Sequence, residues 1–166
     1  MFKNNYLNHY SKDLIQLYKN IDLTHFEKLY SNIKSLKSDS KILIFGNGAG
    51  ASISSHFAND ISNSTNIKAL SFDNSAHLTC FANDYGFENW IKKTIEIFAE
   101  KKDLIILISA SGESANMVKA AKFCKVKKIK FFSLTGFKKN NKLNRNSKNH
   151  LWVNSMSYNK VELTQL

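Results

Sequence analysis

The sequence predicts an α/β fold: a doubly wound, five-stranded parallel sheet with an N-terminal helical extension. The first indication is that short apolar runs alternate with helical stretches after Lys41, because strands covered on both faces of a parallel sheet are apolar throughout. The second is a pair of glycine- and serine-rich turns, each placed where an apolar run gives way to a helical pattern. The third is an amphipathic helical pattern at the start of the chain.

The helical pattern over residues 1–38 predicts two amphipathic helices that form an N-terminal extension. Thr24 and Glu27 have the spacing of a capping box, which predicts the start of the second helix. The α/β core is predicted over residues 39–166, so that the chain forms one domain. The predicted strands begin near residues 41, 67, 103, 128 and 150, and the predicted helices between them lie near residues 51–62, 86–100, 114–126 and 140–146.

Composition and charge argue against several classes of protein. The net charge of +11 would attract nucleic acid without any motif, but the lysines are spread along the whole chain, so we expect a solvated basic surface and no nucleic-acid partner. Cys80 and Cys124 have neither disulfide-framework nor zinc-finger spacing. No apolar run approaches the roughly 20 residues that span a bilayer. We therefore expect a cytoplasmic protein with no membrane partner.

The turn after the first predicted strand, FGNGAGAS from residue 45, has the composition of a ligand-binding turn. Ligands of open parallel sheets bind beyond the carboxyl ends of the strands, where backbone N–H groups point outward. Gly46, Gly48 and Gly50 allow positive φ and close backbone approach, and Asn47 carries an amide donor. This turn predicts an anion site.

The turn after the third strand, ISASGESAN from residue 108, favours a phosphate monoester over a dinucleotide. GNGAGA fits the pattern G-x-G-x-x-A, and Asp73 stands near the position of a ribose-binding acid, so spacing alone leaves NAD open. Ser109, Ser111 and Ser114 decide between the two ligands, because a monoester needs short donors from several directions. Helix capping by Ser111 or Ser114 accounts for one hydroxyl only.

His56 and Asp60 lie four residues apart on the helix predicted after the glycine turn, so they share one face of it. A histidine and a carboxylate at this spacing can hold a divalent metal or transfer protons. The alternative, a surface histidine that is hydrogen-bonded to an aspartate, stays open. His77 is a candidate to line the pocket, without a partner that the sequence assigns.

Four motifs together resemble the SIS (sugar isomerase) domain, and within it the phosphoheptose isomerases. They are GNGAGASISSHFAND, CFANDYGFENW, LISASGESANMVKAAK and LTGF, in this order and spacing. The resemblance covers nearly the whole chain and implies a single SIS domain over residues 1–166 with a flavodoxin-like strand order. It also implies a phosphosugar substrate and a homotetramer or homodimer with active sites between subunits.

The resemblance assigns site residues by position in this chain. The substrate-binding residues that it implies are Asn47, Gly48, Ala49, Asn83, Asp84, Ser109, Ala110, Ser111 and Ser114. The cofactor that it implies is zinc, with His56, Asp60 and Glu162 as ligands. Asp60 is the first candidate for the catalytic base, and Glu162 is the second.

This chain departs from the family pattern at positions that bear on catalysis. Asp60 stands where the family has glutamate, Gln165 where a histidine often lies, and Gly50 where many relatives have serine. The sequence ends at Leu166, about one turn into the last predicted helix and before a further histidine ligand. The predicted function is aldose–ketose isomerisation of a phosphosugar, most similar to that of sedoheptulose 7-phosphate isomerases. The alternative is a non-catalytic SIS module that binds a phosphosugar as a sensor or assembly subunit.

Overall fold

The computed structural model describes residues 4–166, and it confirms the predicted doubly wound α/β fold. Five strands form the sheet: β1 Lys41–Gly46, β2 Lys68–Ser71, β3 Leu104–Ser109, β4 Lys130–Thr135 and β5 His150–Trp152. Their order is β2-β1-β3-β4-β5, and every pair is parallel. This is the flavodoxin-like order, whose topological switch point lies between β1 and β3.

The helices lie before and between these strands. Within the described residues they are α1 Asn4–Lys19, α2 Leu23–Lys34, α3 Ala49–Ser64, α4 Ser75–Tyr85, α5 Trp90–Phe98, α6 Ala115–Lys127, α7 Lys142–Asn146 and α8 Tyr158–Gln165. Helix α4 was not among the predicted helices. Helix α8 has 8 residues, about two turns, where the sequence predicted one.

Apolar side chains on the two faces of the sheet form two separate clusters. Successive side chains of a strand point to opposite faces, so each buried strand contributes to both clusters. One cluster joins the sheet to α2, α3 and α8, with Leu29, Ile53 and Val161 among its members. The other joins it to α5 and α6, with Trp90 and Met117 among its members. This two-sided cover explains why the strands are apolar throughout.

The two N-terminal helices are present as predicted, but the capping box at Thr24 is wrong. Helix α2 begins at Leu23, and its N-cap is Asp22, whose carboxylate accepts a hydrogen bond of 2.9 Å from the backbone N–H of Thr24. Helix α1 reaches α8, where the Tyr18 hydroxyl donates to the carbonyl of Leu163 at 2.8 Å. None of the described helices combines the length and apolar character that crossing a bilayer requires.

Candidate active site

The glycine turn brings the first turn of α3 directly onto the end of β1. A Cβ atom at Gly46 would lie 2.0 Å from the carbonyl oxygen of Gly50, so only glycine permits this approach. Gly48, the N-cap of α3, has a φ of 54° that side-chain-bearing residues rarely adopt. A Cβ atom at Gly50 would have ordinary space around it, with the nearest atom 3.5 Å away. The close approach therefore requires glycine at position 46, and the positive φ requires it at position 48.

Hydrogen bonds within the serine turn fix the positions of its hydroxyl groups. The Ser109 hydroxyl accepts from the backbone N–H of Gly112 at 3.2 Å and lies 3.1 Å from the Ser114 hydroxyl. The Ser111 hydroxyl accepts from the backbone N–H of Glu113 at 3.2 Å. Ser114 is the N-cap of α6, but its side chain makes no capping hydrogen bond. Its hydroxyl is therefore available to a ligand at the start of α6.

Contacts from α7 and its N-cap Asn141, together called the α7 segment, hold the outer side of the serine turn. The backbone N–H of Leu143 donates to the Gly112 carbonyl at 2.9 Å. The Glu113 carboxylate accepts from the backbone N–H of Lys142 at 3.0 Å and pairs with its ammonium group at 2.9 Å. These bonds from Lys142 hold the pKa of Glu113 below its ordinary value. Gly112 has a φ of 67°, and a Cβ atom there would lie 2.1 Å from the Asn141 side chain.

An amide pair joins the glycine turn to the serine turn. Asn47 and Asn116 exchange two side-chain hydrogen bonds, each 3.0 Å long. The Asn116 amide oxygen also accepts from the backbone N–H of Met117 at 2.9 Å. Asn116 is only 2% exposed. The sequence analysis missed Asn116 as a site residue. The available signal was an asparagine on the first turn of one helix and a second asparagine directly after strand β1.

The two turns enclose one cavity of about 110 Å³, which we call the serine cavity. Its lining residues are Asn47, Gly50, Ile108, Ser109, Ala110, Ser111, Ser114, Tyr158, Glu162 and Gln165. The structure thus brings together both turns and Glu162, as the sequence predicted, and adds Tyr158 and Gln165 from α8. Hydroxyl and amide groups dominate the polar lining, and Glu162 is the one carboxylate among these described residues. Such a lining suits an anion held by hydrogen bonds beside a helix N-terminus.

Glu162 also lines a larger cavity of about 580 Å³, which we call the open cavity. This cavity lies along α3 and α8, and its lining includes Ala49, Ser52 and His56. The two cavities share Glu162 as a lining residue. A ligand that extends from the serine cavity into the open cavity would therefore pass the Glu162 carboxylate.

His56 and Asp60 form the predicted pair on the face of α3, with 3.3 Å between His56 Nε2 and Asp60 Oδ2. Both side chains are 63% exposed. Asp60 lines neither the serine cavity nor the open cavity. It lines a third, mostly apolar cavity of about 410 Å³ under α2 and α8, together with His56.

The predicted zinc ligands do not converge into a complete site within the described residues. A catalytic zinc ion requires three protein ligands in addition to water or substrate. Across residues 4–166, no group of three histidine, cysteine, aspartate or glutamate side chains lies close enough to hold a metal ion. His56 and Asp60 are adjacent, whereas Glu162 approaches this region from α8.

Asn83 and Asp84 lie on α4, away from the serine cavity. Both are exposed, and the Asn83 amide donates to the Asp84 carboxylate at 3.1 Å. His77, on the same helix, lies 2.9 Å from the Thr94 hydroxyl and stacks on Phe81. Burial lowers the pKa of His77. The structure does not bring these residues to the serine cavity of the same chain.

Comparisons with known proteins agree with this architecture. The SIS domain family model matches residues 8–136. A phosphoheptose isomerase from Helicobacter pylori (strain P12) is 40% identical over 111 residues, which cover 63% of this chain and 57% of that protein. A phosphoheptose isomerase from Cytophaga hutchinsonii is 36% identical over 107 residues, covering 61% of this chain and 56% of that protein. The aligned segment thus spans less than two thirds of each relative.

A solved structure extends the likeness of the fold to nearly the whole chain. The phosphoheptose isomerase from Neisseria gonorrhoeae superposes with a TM-score of 0.87, over 99% of this chain and 92% of that one. Its sequence identity to this chain is 23%, so the superposition shows that the two proteins share a fold and nothing more. The helices on both faces of the parallel sheet are part of the shared architecture.

Proposed function

The chain belongs to the SIS domain family, and we propose that it is a phosphosugar aldose–ketose isomerase that acts on sedoheptulose 7-phosphate. The observation that carries this proposal is the convergence of the glycine and serine turns on one cavity at the start of α6. The names of the relatives from Helicobacter pylori and Cytophaga hutchinsonii support the choice of substrate.

The phosphate group binds in the serine cavity. Ser109, Ser111 and Ser114 supply hydroxyl donors from three positions of the turn, and Asn47 supplies an amide. The first amides of α6 have no backbone partner within the helix and carry the positive end of its dipole. A hydrogen bond to a charged group contributes about 1.5–3 kcal/mol. Several such bonds bind a phosphate dianion without a lysine or arginine among the described lining residues.

The sugar extends from the serine cavity into the open cavity. The reacting carbons of sedoheptulose 7-phosphate lie at the opposite end of the carbon chain from the phosphate, so they cannot remain beside the serines. Ala49, Ser52 and His56 line the open cavity into which this end extends. Binding energy from the remote phosphate then orients the reacting carbons.

Glu162 is placed better than Asp60 to act as the base. Its carboxylate takes a proton from the hydroxyl-bearing carbon beside the carbonyl, and the electron pair released forms an enediol. The proton then returns to the former carbonyl carbon. The hydroxyl group of the first carbon gives its own proton back to the group that protonated the carbonyl oxygen, which yields the aldose. Glu162 lines both cavities that the substrate occupies, whereas Asp60 lines neither. In this arrangement His56 donates a proton to the carbonyl oxygen, and Asp60 orients the His56 ring.

Zinc at His56, Asp60 and Glu162 stays a prediction. The mechanism above uses no metal step, because these side chains form no group of three ligands within residues 4–166. Metal analysis of the purified protein by mass spectrometry tests the prediction, with His56→Ala as the matched variant. Stoichiometric zinc that disappears in His56→Ala would support it, and equal metal content in both proteins would count against it.

We further propose a cytoplasmic homotetramer or homodimer with active sites between subunits. Apolar side chains on α1 and α2 support this assembly, because Tyr6, Leu7, Phe26 and Tyr30 are all more than half exposed. In such an assembly, the exposed Asn83 and Asp84 are available to the site of a neighbouring subunit. Light scattering coupled to gel filtration measures the mass, and a monomer would contradict this part of the proposal.

The second candidate is a non-catalytic module that binds a phosphosugar. It is favoured by the 63% exposure of both His56 and Asp60, since the expected catalytic pair lies in solvent in the single chain. This candidate retains the phosphate site and lacks turnover. Affinity for any DNA that falls steeply with salt would instead indicate a nucleic-acid-binding protein.

Incubation with sedoheptulose 7-phosphate, with and without added zinc, tests the proposed function. Nuclear magnetic resonance follows formation of the aldose. Glu162→Gln and Asp60→Asn are matched variants, because each replaces one carboxylate by its amide. We expect Glu162→Gln to lower kcat by about 10²–10⁴-fold and Asp60→Asn to lower it less. Tight binding without conversion by the wild type would support the non-catalytic module, and failure to bind would overturn both candidates.

A further inference from the structure

Gln165, on the last turn of α8, has a side-chain amide without a hydrogen-bond partner. Its Nε2 and Oε1 atoms are both buried, and neither is hydrogen-bonded by any group in residues 4–166. The residue lines the serine cavity together with Ser109, Ser111 and Glu162. Buried polar side-chain atoms in proteins nearly always have partners, so this exception calls for a physical reason.

The conformation of α8 around Gln165 is fixed by neighbouring contacts. Val161 is fully buried, the Thr164 hydroxyl donates to the Lys160 carbonyl at 2.7 Å, and the Tyr18 hydroxyl donates to the Leu163 carbonyl at 2.8 Å. The helix therefore holds Gln165 in an anchored position at the wall of the serine cavity, where it also borders the third cavity. An unpaired amide in such a position destabilises the free protein.

We propose that Gln165 is a substrate contact that recognises the sugar hydroxyl groups next to the phosphate, an inference that rests on the proposed function. A ligand in the serine cavity supplies the partners that the free protein lacks. The amide then contributes to affinity, because binding removes the cost of its two unpaired atoms.

The chemistry of the amide favours hydroxyl groups over the phosphate as its partners. The amide offers donors at Nε2 and an acceptor at Oε1. A phosphate dianion has acceptors only, so it leaves Oε1 without a partner. A sugar hydroxyl both donates and accepts, and neighbouring hydroxyls satisfy both atoms. Gln165 should therefore distinguish a phosphosugar from phosphate itself.

Binding measurements on Gln165→Leu test this inference. The dissociation constants for sedoheptulose 7-phosphate and for inorganic phosphate are measured by titration calorimetry. We expect Gln165→Leu to weaken phosphosugar binding about tenfold, the effect of roughly 1.4 kcal/mol, and to change phosphate binding by less than about twofold. The melting temperature of the free variant should not fall, because the substitution removes an unpaired buried amide.

Gln16→Leu is the matched control, because Gln16 is the chain's other glutamine and lies exposed on α1. Its substitution should leave both dissociation constants unchanged. Gln165→Met, with an unbranched side chain, repeats the test in case leucine disturbs the packing of α8.

Three results would overturn the inference. They are unchanged phosphosugar affinity in both Gln165 variants, equal weakening of phosphosugar and phosphate, and a wild type that binds phosphosugar no more tightly than phosphate. The readout is binding rather than turnover. If the protein binds the phosphosugar without isomerising it, the proposed function fails and the Gln165 inference can still hold. A wild type that binds neither ligand would refute both the proposed function and the inference.

Discussion

The serine turn and the His56–Asp60 pair differ in how far the chain fixes them. Ser109 is 6% exposed, and hydrogen bonds within the turn and from the α7 segment fix the backbone around it. His56 and Asp60 are each 63% exposed and share one contact of 3.3 Å. A single chain thus preorganises the groups that we propose to bind the phosphate, whereas it leaves His56, the proposed proton donor, and Asp60 in solvent.

This difference indicates which half of the site depends on other molecules. The serine turn has its shape before a ligand arrives, so that little ordering is needed on binding. An exposed ion pair in water contributes little free energy and has freedom to reorient. We therefore expect the half of the site that contains His56 and Asp60, the proton-transfer half, to take its geometry from a substrate, a metal ion or a second subunit, and the predictions below test this division.

The largest expected effect is that of Gly112→Ala on the serine turn. The substitution places a side chain at a φ of 67° and directs its Cβ to within 2.1 Å of Asn141. We expect the backbone strain to cost about 1–3 kcal/mol and the clash to cost a further 1–3 kcal/mol or so in the free energy of unfolding. Denaturant unfolding measures this loss.

Gly86→Ala is the matched control for that experiment. Gly86 also has a positive φ, 83°, but the nearest atom to its Cβ position is 3.8 Å away. Gly86→Ala introduces the backbone strain without the clash. It should therefore lower the free energy of unfolding less than Gly112→Ala does. Equal losses in the two variants would show that the α7 segment does not constrain the serine turn.

Ser114→Ala should weaken phosphate binding and leave the fold nearly unchanged. The Ser114 hydroxyl makes no capping bond, and its one hydrogen-bond partner in the described chain is the Ser109 hydroxyl at 3.1 Å. We expect the dissociation constant for inorganic phosphate to rise about tenfold or more, because a hydrogen bond to a charged ligand is lost. Calorimetry measures the affinity. Ser11→Ala, at an exposed position of α1, is the control, and an equally small effect of both variants would remove Ser114 from the phosphate site.

Substitutions in the exposed pair should affect stability much less. We expect His56→Ala and Asp60→Asn to change the free energy of unfolding by no more than about 0.5 kcal/mol, because exposed ion pairs contribute little. Phosphate affinity should also stay within about twofold of the wild type, since neither side chain lines the serine cavity. A loss of more than about 2 kcal/mol in either variant would place the pair among the preorganised groups.

The same division explains how much of the site the sequence predicts. The strands, the two turns and the serine hydroxyls are local features, because apolar runs and strand-to-helix junctions are visible in the chain itself. That both turns meet in one cavity follows from a parallel sheet in which β1 and β3 are neighbours. The position of the two turns at one cavity could therefore be predicted from general rules.

The features that the sequence missed depend on contacts between distant segments. Asn116 matters because it meets Asn47, and Gln165 matters because α8 folds over the serine cavity. Helix α4 was missed although Asn74 caps it, accepting from the backbone N–H of Ala76 at 3.0 Å. The capping box at Thr24 failed because Asp22, two residues earlier, supplies a competing and stronger cap.

Acidification should affect the two halves of the site differently. His25 of α2 and His150 of β5 stack with ring centroids 4.8 Å apart, and both have a buried Nδ1 atom without a partner in the described chain. Burial, and then the neighbouring His25, lower the pKa of His150, and Lys139 acts in the same direction. The backbone of Ser147, and less strongly Asp22, oppose this shift. A histidine with a lowered folded-state pKa contributes stability that is present above its unfolded pKa, near 6.5, and is lost as the pH falls.

Denaturant unfolding between pH 7.5 and pH 5.5 measures this loss for the wild type and for His150→Asn. We expect the wild-type free energy of unfolding to fall, by at most about 1.4 kcal/mol per pH unit for each histidine, and the variant to fall less steeply. His77 contributes in the same direction, since burial lowers its pKa also, so the variant should retain part of the slope. Because α2 borders the cavity of His56 and Asp60 while no histidine of the described residues lines the serine cavity, acid should loosen the proton-transfer half first. Identical slopes in the two proteins would mean that His150 does not contribute to the pH dependence of stability in this range.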